Sequence, residues 1–339
     1  MIKNAIATLV SGRSLTEEES VLVMEEIMEG KATPAQLGAF LTALRIKGET
    51  AAEITGLANV IRAKATKVKI SGPVIDIVGT GGDSADTFNI STTATFVAAG
   101  AGLKVAKHGN RATSSRCGSA DVLEALGIRI DMNAEQVRRC IDEIGVGFMF
   151  AQAFHPAMKY AAAPRREIGI RTVFNILGPL SNPAGAGTMV LGVADKTILE
   201  KMATTLKNLG LTRALVVRGE DGVDEITIST KTEVYELVNG VIKHYLIAPE
   251  DFGLSRATIA EVKGGNAAEN AALLCGILTG DTGPKRDIVL MNAAAALFAT
   301  GMVSELKDGI PLAAKAINNR SAMKKLEQLI EFGRHLETS

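Results

Sequence analysis

The stretch VIDIVGTGGD, residues 74–83, decides the fold. Its first half is a short apolar run, which predicts a buried β-strand, and its second half is a glycine-rich turn. A predicted helix follows from Asn89 to Ala101. Glycines without a Cβ let backbone N–H groups approach phosphate oxygens, and a helix N-terminus adds free N–H donors. The segment therefore predicts a phosphate-binding strand–loop–helix unit, with a simple tight turn as the alternative.

Strand and helix patterns alternate on the C-terminal side of this unit. Further strands are predicted at residues 103–106, 146–150, 189–193 and 214–217, with helices at 119–126, 134–144 and 196–209. This alternation indicates parallel β–α units. The pair Asn239-Gly240 between two β-rich arms predicts a hairpin, and the remaining C-terminal segment is mostly helical in pattern.

The N-terminal residues show helical patterns only. TEEE at 16–19 and TAAE at 50–53 are capping-box sequences, and Thr33-Pro34 is a cap followed by a proline at the first helical position. We expect a small helical domain at residues 1–70, joined by part of the proline-rich segment 155–187. Residues 71–339 are expected to form a large α/β domain with a central, mostly parallel sheet flanked by helices.

Composition excludes several classes of protein. Among 339 residues, Lys and Arg number 37 and so do Asp and Glu, so no global field attracts nucleic acid or an anionic membrane. The three cysteines form no CxxC motif, which favours reduced thiols in the cytoplasm. No signal peptide is expected, and the longest nearly apolar stretch, 288–299, is too short to span a bilayer. We expect a cytoplasmic protein with no nucleic-acid or membrane partner.

A second polar loop, KHGNRATSS at 107–115, follows the second predicted strand. Ligands of open α/β sheets bind at the carboxyl ends of strands. Lys107, Arg111 and the following hydroxyls suit a polyanion, although a solvated basic loop has the same composition. His108 alone is more often structural than a general base. Asn89 and Ser91 either cap the start of the helix predicted at 89–101 or reach a phosphate or a magnesium ion.

A third strand end carries the acidic sequence RGEDGVDE, residues 218–225. Mg²⁺ prefers carboxylates combined with phosphate oxygens and water, so Asp224 and Glu225 are candidate ligands; a solvated acidic loop is the alternative. The adjacent Arg165 and Arg166 either hold a carboxylate or pair with Glu167.

Taken in order, the motifs GTGGD, NISTT, KHGNRATSSRCGSAD, HPAMK, RREIGIRTVFNILGPLSNPA and DGVDE resemble those of the anthranilate phosphoribosyltransferases. The resemblance runs from the N-terminal helices to near the C-terminus. It implies transfer of the phosphoribosyl group from 5-phosphoribosyl 1-diphosphate to the amine of anthranilate, in tryptophan biosynthesis, with release of diphosphate. It also implies a fold shared with the pyrimidine nucleoside phosphorylases, Mg²⁺ as cofactor, and a homodimer joined through the helical domains.

The resemblance further implies roles for individual residues. Asn110, Arg165 and Gly79 would meet anthranilate, with His108 and Pro179 close to its path, and Ser91, Asp224 and Glu225 would hold Mg²⁺. A neutral arylamine needs little help from a base, so no general base is assigned. The residues implied to bind phosphoribosyl diphosphate are Gly79, Gly82, Asp83, Thr87, Asn89, Ile90, Ser91, Thr92, Lys107, His108, Gly109, Asn110, Arg111, Ala112, Thr113, Ser114, Ser115 and Ser119.

One departure from the family and two alternative functions remain at this stage. Arg218 stands where relatives commonly have a histidine. A pyrimidine nucleoside phosphorylase would use phosphate as nucleophile, and KHGNR with its serines favours the diphosphate user instead. An inactive, nucleic-acid-binding relative should have a basic surface and an eroded metal motif, but the net charge is zero and Asp224-Glu225 is intact.

Overall fold

Helices account for most of the chain outside the sheet. The structure, a computed structural model, describes residues 1–112 and 116–336. The α-helix at Ala134–Arg139 continues directly into a π-helix, Cys140–Ile144. The α-helices are α1 (Ile2–Val10), α2 (Glu17–Met28), α3 (Pro34–Lys47), α4 (Ala51–Lys64), α5 (Ile90–Gly100), α6 (Ser119–Ala125), α7 (Ala134–Arg139), α8 (Ala151–Phe154), α9 (Lys159–Ile168), α10 (Phe174–Leu177), α11 (Leu199–Asn208), α12 (Ala267–Thr279), α13 (Pro284–Ala299), α14 (Gly309–Asn318) and α15 (Ser321–His335).

The N-terminal helices begin where the capping sequences predict. The hydroxyl oxygens of Thr16, Thr33 and Thr50 each accept a hydrogen bond from the backbone N–H three residues later, at the starts of α2, α3 and α4. Each such cap stabilises its helix by about 1 kcal/mol. Local sequence therefore determines where these helices begin.

The described residues form a seven-stranded sheet. Its strands are β1 (Ile75–Gly79), β2 (Val105–Gly109), β3 (Val146–Phe150), β4 (Thr188–Gly192), β5 (Arg213–Gly219), β6 (Thr232–Val238) and β7 (Val241–Ile247). They are arranged in the order β3-β2-β1-β4-β5-β6-β7. Strands β1 to β5 pair in parallel, whereas β6 and β7 form an antiparallel edge. Because the chain places β2 on one side of β1 and β4 on the other, the order reverses beside β1 and opens a crevice at its carboxyl end.

The sheet separates two apolar cores. In β4, Met189 and Leu191 pack in the core that contains α1 to α4 and α11. Val190 between them points the opposite way and packs in the core with α5 and α13. This alternation is the ordinary consequence of strand geometry. The predicted fold class, a helical domain with a mostly parallel α/β domain, is confirmed.

The segment 155–187 packs against the N-terminal helices. Ala161, Phe174 and Leu177 are buried in the same core as α2, α3 and α4. This is the arrangement expected of a chain segment that returns to the helical part. The limits 1–70 and 71–339 for the two domains stay a prediction.

The predicted elements differ from the observed ones mainly at their ends. The helix predicted at 196–209 begins with a 3₁₀ turn, Lys196–Ile198, because the Asp195 carboxylate accepts from the backbone N–H of Thr197. The helix predicted at 134–144 is present, and its last five residues form the π-helix. The predicted hairpin turn is present, with φ of 47° at Asn239 and 81° at Gly240. None of the helices in the described residues is long and apolar enough to cross a membrane.

Candidate active site

A cleft of about 310 Å³ opens at the carboxyl ends of β1 and β2. Loops after β1, β2 and β5, together with the segment 155–187, form its walls. Thr113, Ser114 and Ser115 lie outside the described residues. All other residues predicted for the site line this cleft: Gly79, Gly82, Asp83, Thr87, Asn89, Ile90, Ser91, Thr92, Lys107, His108, Gly109, Asn110, Arg111, Ala112, Ser119, Arg165, Asp224 and Glu225.

The acidic loop after β5 lies directly over the ends of the neighbouring strands. Oδ2 of Asp224 accepts from the Gly81 N–H at 2.6 Å, and Oε1 of Glu225 accepts from the Ser91 N–H at 3.1 Å. A Cβ added at Gly79 would lie 2.3 Å from Oδ2 of Asp224, and one at Gly192 would lie 1.6 Å from its carbonyl oxygen. Glycine at both strand ends is thus what lets the acidic loop reach the cleft.

The carboxyl groups of this loop have raised pKa values. Burial, and then the charge of Asp83, raises the pKa of Asp224 to about 7. Burial, and then the charge of Asp224, raises the pKa of Glu225 to about 8. A cation bound here would relieve both effects, because it interacts with the ionised form.

The donor set suits a hard cation. Asp224, Glu225 and the hydroxyl of Ser91 offer oxygen ligands, which Mg²⁺ prefers, and Mg²⁺ usually keeps waters and phosphate oxygens in its shell. In residues 1–112 and 116–336, no three His, Cys, Asp or Glu side chains come together as a set that could hold a metal ion. The residues therefore fit Mg²⁺ shared with a bound phosphate rather than an all-protein cage.

Lys107, on β2, lines the cleft. Its side chain is buried, and its Nζ donates to the carbonyl of Ile77 at 2.7 Å and to Oγ of Ser91 at 3.4 Å. Burial lowers the pKa of Lys107, while the charges of Asp76 and Glu225 act in the opposite direction. The alternative of a solvated basic loop is therefore wrong for this residue, and its charge faces the site where anions would bind.

Asn89 occupies the N-cap position of α5 without capping it. Its Nδ2 donates to the carbonyl of Cys117 at 3.1 Å, and its Oδ1 accepts from Nδ2 of Asn270 at 2.9 Å. The cap alternative is therefore wrong for Asn89. The first residues of α5 line the cleft, where the helix dipole favours an anion.

Two buried histidines meet beside the cleft, and His108 lines it. Nε2 of His108 lies 3.2 Å from Nε2 of His155. Burial, and then the neighbouring His155, lowers the pKa of His108 to about 3, and burial lowers that of His155 to about 4. Both rings are therefore neutral at pH 7, and His108 has little capacity to take up a proton.

Arg165 projects from α9 into the cleft beside Pro179. Its guanidinium lies 4.9 Å from the ring centre of Phe174, and burial lowers its pKa. Within the described part of the chain, no carboxylate forms an ion pair with Arg165, so the alternative of pairing with Glu167 is wrong. Arg166 is exposed and does not line the cleft. Arg165 is therefore a partly buried cation available for an anionic ligand.

Comparison with known proteins decides the family. Residues 3–65 match the helical bundle domain of the glycosyl transferase family, and residues 71–323 match its a/b domain. The anthranilate phosphoribosyltransferase of Dehalococcoides mccartyi is 59% identical over 338 residues, 99% of each chain. That of Chloroflexus aggregans is 57% identical over 98% of each chain. This chain belongs to the anthranilate phosphoribosyltransferase family.

Solved structures of anthranilate phosphoribosyltransferases have the same fold. The Thermus thermophilus enzyme superposes with a TM-score of 0.92 at 44% identity, over 97% of this chain and 99% of that one. The Saccharomyces cerevisiae enzyme, solved in complex with PRPP and Mg, gives 0.90 at 29% identity over 98% of each chain. The resemblance, the enzyme class and the transferase function predicted from the motifs are confirmed, and the comparisons do not support the two alternative functions.

Two arginines near the strand ends have partners within the protein. The guanidinium of Arg111, a residue that lines the cleft, pairs with Glu124 at 2.8 Å and Asp121 at 3.0 Å. Arg218, which replaces the usual family histidine, donates to the carbonyls of Ala194 and Gly219 and does not line the cleft.

Sequence reasoning missed residues that reach the anthranilate phosphoribosyltransferase site from a distance. Nη2 of Arg171 donates to the Gly81 carbonyl at 2.8 Å, and Asn175 and Gly265 line the cleft. Arg171 stands inside the quoted motif RREIGIRTVFN, but no local pattern marks an arginine that contacts a loop 90 residues away.

Proposed function

We propose that this chain transfers the phosphoribosyl group of phosphoribosyl diphosphate to the amine of anthranilate in one cleft whose two sides bind different substrates. The observation that carries the proposal is the position of the glycine-rich loop, the N-terminus of α5 and the Asp224-Glu225 loop on one side, with Arg165 on the other. Groups suited to an anion and groups suited to a cation in one cleft support a diphosphate ligand bound with a metal ion.

The diphosphate and ribose belong to the side formed by β1 and α5. The backbone N–H groups of Gly82 and Asp83 and the start of α5 would donate to phosphate oxygens, and Lys107 would supply positive charge. The N–H groups of Gly81 and Ser91 would join them on leaving the carboxylates of Asp224 and Glu225. The 5′-phosphate belongs to the loop from Gly109 to Ser119, which includes residues outside the described ranges. These donors stabilise the negative charge that develops on the leaving diphosphate.

Asp224, Glu225 and Ser91 are the residues that would hold Mg²⁺. These oxygens would hold a cation whose charge offsets that of the diphosphate. The yeast structure in complex with PRPP and Mg supports use of the same cofactor here.

Anthranilate belongs to the side formed by the segment 155–187. Arg165 would pair with its carboxylate, because a guanidinium matches a carboxylate with two parallel hydrogen bonds. Asn110, Gly79, His108 and Pro179 would surround the ring and amine. Support comes from a yeast relative, 28% identical with a TM-score of 0.89, which was solved in complex with 4-fluoroanthranilate.

The reaction needs orientation more than proton transfer. The bond from the anomeric carbon to the diphosphate oxygen breaks, the amine nitrogen forms the new bond on the opposite face, and the amine then loses a proton to solvent. The amine is neutral at pH 7, and the low pKa of His108 makes it a poor proton acceptor. We therefore assign no general base. Binding both substrates with the reacting atoms in line accelerates the transfer.

The enzyme is proposed to act as a cytoplasmic homodimer joined through its helical domains. Exposed apolar side chains on these helices support the proposal, among them Val10 at 73% and Ile46 at 81% exposure. Apolar surface of this kind is typical of a symmetric interface.

A coupled assay of diphosphate release tests the proposed function. Diphosphate should appear in equal amount to the anthranilate consumed, and only when anthranilate, phosphoribosyl diphosphate and Mg²⁺ are all present. Release of a free base from uridine or thymidine with inorganic phosphate, without anthranilate consumption, would refute the proposal.

A further inference from the structure

We infer that Asn270 is a positioning residue for phosphoribosyl diphosphate, which acts by fixing the orientation of the Asn89 amide. The inference rests on the proposed function, because it assigns Asn89 to the diphosphate and ribose side of the cleft. Asn270 lies on α12, is only 2% exposed and does not line the cleft. Its effect on a ligand must therefore pass through its neighbours.

A directed chain of hydrogen bonds leads from the C-terminal part of the protein to the cleft. The Gly265 N–H donates to Oδ1 of Asn270 at 2.7 Å, and Nδ2 of Asn270 donates to Oδ1 of Asn89 at 2.9 Å. Nδ2 of Asn89 then donates to the Cys117 carbonyl at 3.1 Å. Each link uses a donor on one side and an acceptor on the other, so the direction of the whole chain is set.

The direction matters because an asparagine amide has two different ends. If the Asn89 amide turned over, its NH₂ group would face the NH₂ group of Asn270, and its oxygen would face the Cys117 carbonyl. Both contacts would be lost, and buried polar groups without partners cost free energy. In the observed orientation, one N–H and one oxygen lone pair of Asn89 remain for a ligand in the cleft.

Asn270 also joins three walls of the cleft that are remote in sequence. The segment containing Gly264 runs alongside the end of the loop between β1 and α5, where the Gly264 N–H donates to the Asp86 carbonyl at 2.9 Å. A Cβ at Gly264 would lie 2.6 Å from Cα of Phe88 and 2.7 Å from Oδ1 of Asn270, so the segment is tightly fitted between them. One buried amide therefore connects this segment, Asn89 and, through Asn89, the loop at Cys117.

The test compares Asn270→Ala with the wild type and with Asn266→Ala. Asn266 caps the same helix, and its Oδ1 accepts from the Glu269 N–H, but it does not line the cleft or contact Asn89. Asn270→Ala should raise the KM for phosphoribosyl diphosphate roughly tenfold and leave the KM for anthranilate unchanged, as loss of one well-placed hydrogen bond predicts. Asn266→Ala should lower the melting temperature and leave both KM values unchanged.

A double-mutant cycle separates positioning from a general structural role. If Asn270 acts through Asn89, adding Asn270→Ala to Asn89→Ala should cause no further rise in the KM for phosphoribosyl diphosphate. Additive effects, or equal rises in both KM values, would overturn the inference. If Asn270→Ala does not fold, Asn270→Asp carries the same test, because it keeps the acceptor for Gly265 and removes the donor to Asn89.

Calorimetric binding of phosphoribosyl diphosphate with Mg²⁺ makes the result independent of the acceptor substrate. A wild type that binds this ligand but does not consume anthranilate would contradict the proposed function alone, and Asn270→Ala should still weaken binding. A wild type that consumes anthranilate, combined with unchanged binding in Asn270→Ala, would overturn the inference about Asn270 alone.

Discussion

The backbone N–H of Gly81 donates a 2.6 Å hydrogen bond to Oδ2 of Asp224, 143 residues further along the chain. The N–H that a phosphate oxygen would use is therefore already paired with a carboxylate. Under the proposed function, the diphosphate would accept from this N–H, and the Asp224 carboxylate would be among the groups that hold Mg²⁺. The same pair of groups thus links the anion-binding loop to the cation site.

The first prediction concerns Glu225, whose pKa is raised to about 8. Glu225→Gln mimics the protonated form that this raised pKa favours, and keeps an oxygen to accept from the Ser91 N–H. Thermal stability should therefore stay the same or rise slightly, while turnover at low Mg²⁺ falls sharply and partly recovers as Mg²⁺ is raised. A Mg²⁺ titration of activity measures this. If Asp224→Asn combined with Glu225→Gln kept wild-type activity and Mg²⁺ dependence, the pair would not be the metal site.

The second prediction concerns recognition of the anthranilate carboxylate. Loss of a charge-assisted hydrogen bond costs about 1.5–3 kcal/mol, or roughly tenfold to hundredfold in affinity. Arg165→Ala should raise the KM for anthranilate by that factor and affect phosphoribosyl diphosphate much less. Arg166→Ala, an adjacent exposed arginine outside the cleft, is the matched control and should change neither value. Equal effects of Arg165→Ala on both substrates would indicate a structural role.

The third prediction concerns the pH dependence of stability at Asp76. Burial raises its pKa from 3.8 to about 6, against the opposing charge of Lys107. Since the folded protein holds this proton more tightly than the unfolded chain, the stabilising contribution is complete below pH 4 and is lost as the pH rises through 6. Relative to Asp76→Asn, the free energy of unfolding of the wild type should fall by about 2 kcal/mol between pH 4 and pH 7. Parallel curves from denaturant titrations would contradict the shift.

Much of this architecture follows from local sequence signals, and the remainder depends on contacts between distant residues. The threonine caps of α2, α3 and α4 and the turn at Asn239-Gly240 are recognisable because each involves a few neighbouring residues. Strand order is different: the reversal beside β1 depends on how helices pack on both faces of the sheet. The motif resemblance indicated which loops share the cleft, and their glycines and hydroxyls gave the chemistry.

Residues that act across the fold left no local signal. Arg171 contacts Gly81, and Asn270 contacts Asn89 from 181 residues away. Such partners become visible only when the sheet brings their loops together. Conversely, the Arg111 side chain has the composition of a phosphate ligand but finds nearer partners in Glu124 and Asp121.

The fourth prediction concerns assembly. Ile46, at 81% exposure on the helical part, is a candidate interface residue, whereas Val241, at 59%, lies on the edge strand β7. Ile46→Asp should shift the protein from dimer to monomer in sedimentation experiments, because a charge in an apolar interface loses its hydration. Val241→Asp should leave the assembly unchanged. A wild type that sediments only as a monomer at micromolar concentration would refute the homodimer.

The most direct test of the proposed function is the fluorescence of anthranilate in the presence of the purified protein. We predict that the signal decays after addition of phosphoribosyl diphosphate and Mg²⁺, that it is stable when either is omitted, and that Arg165→Ala slows the decay at low anthranilate. A signal that stays constant with all components present, while the same preparation cleaves uridine or thymidine with inorganic phosphate, would contradict the assignment.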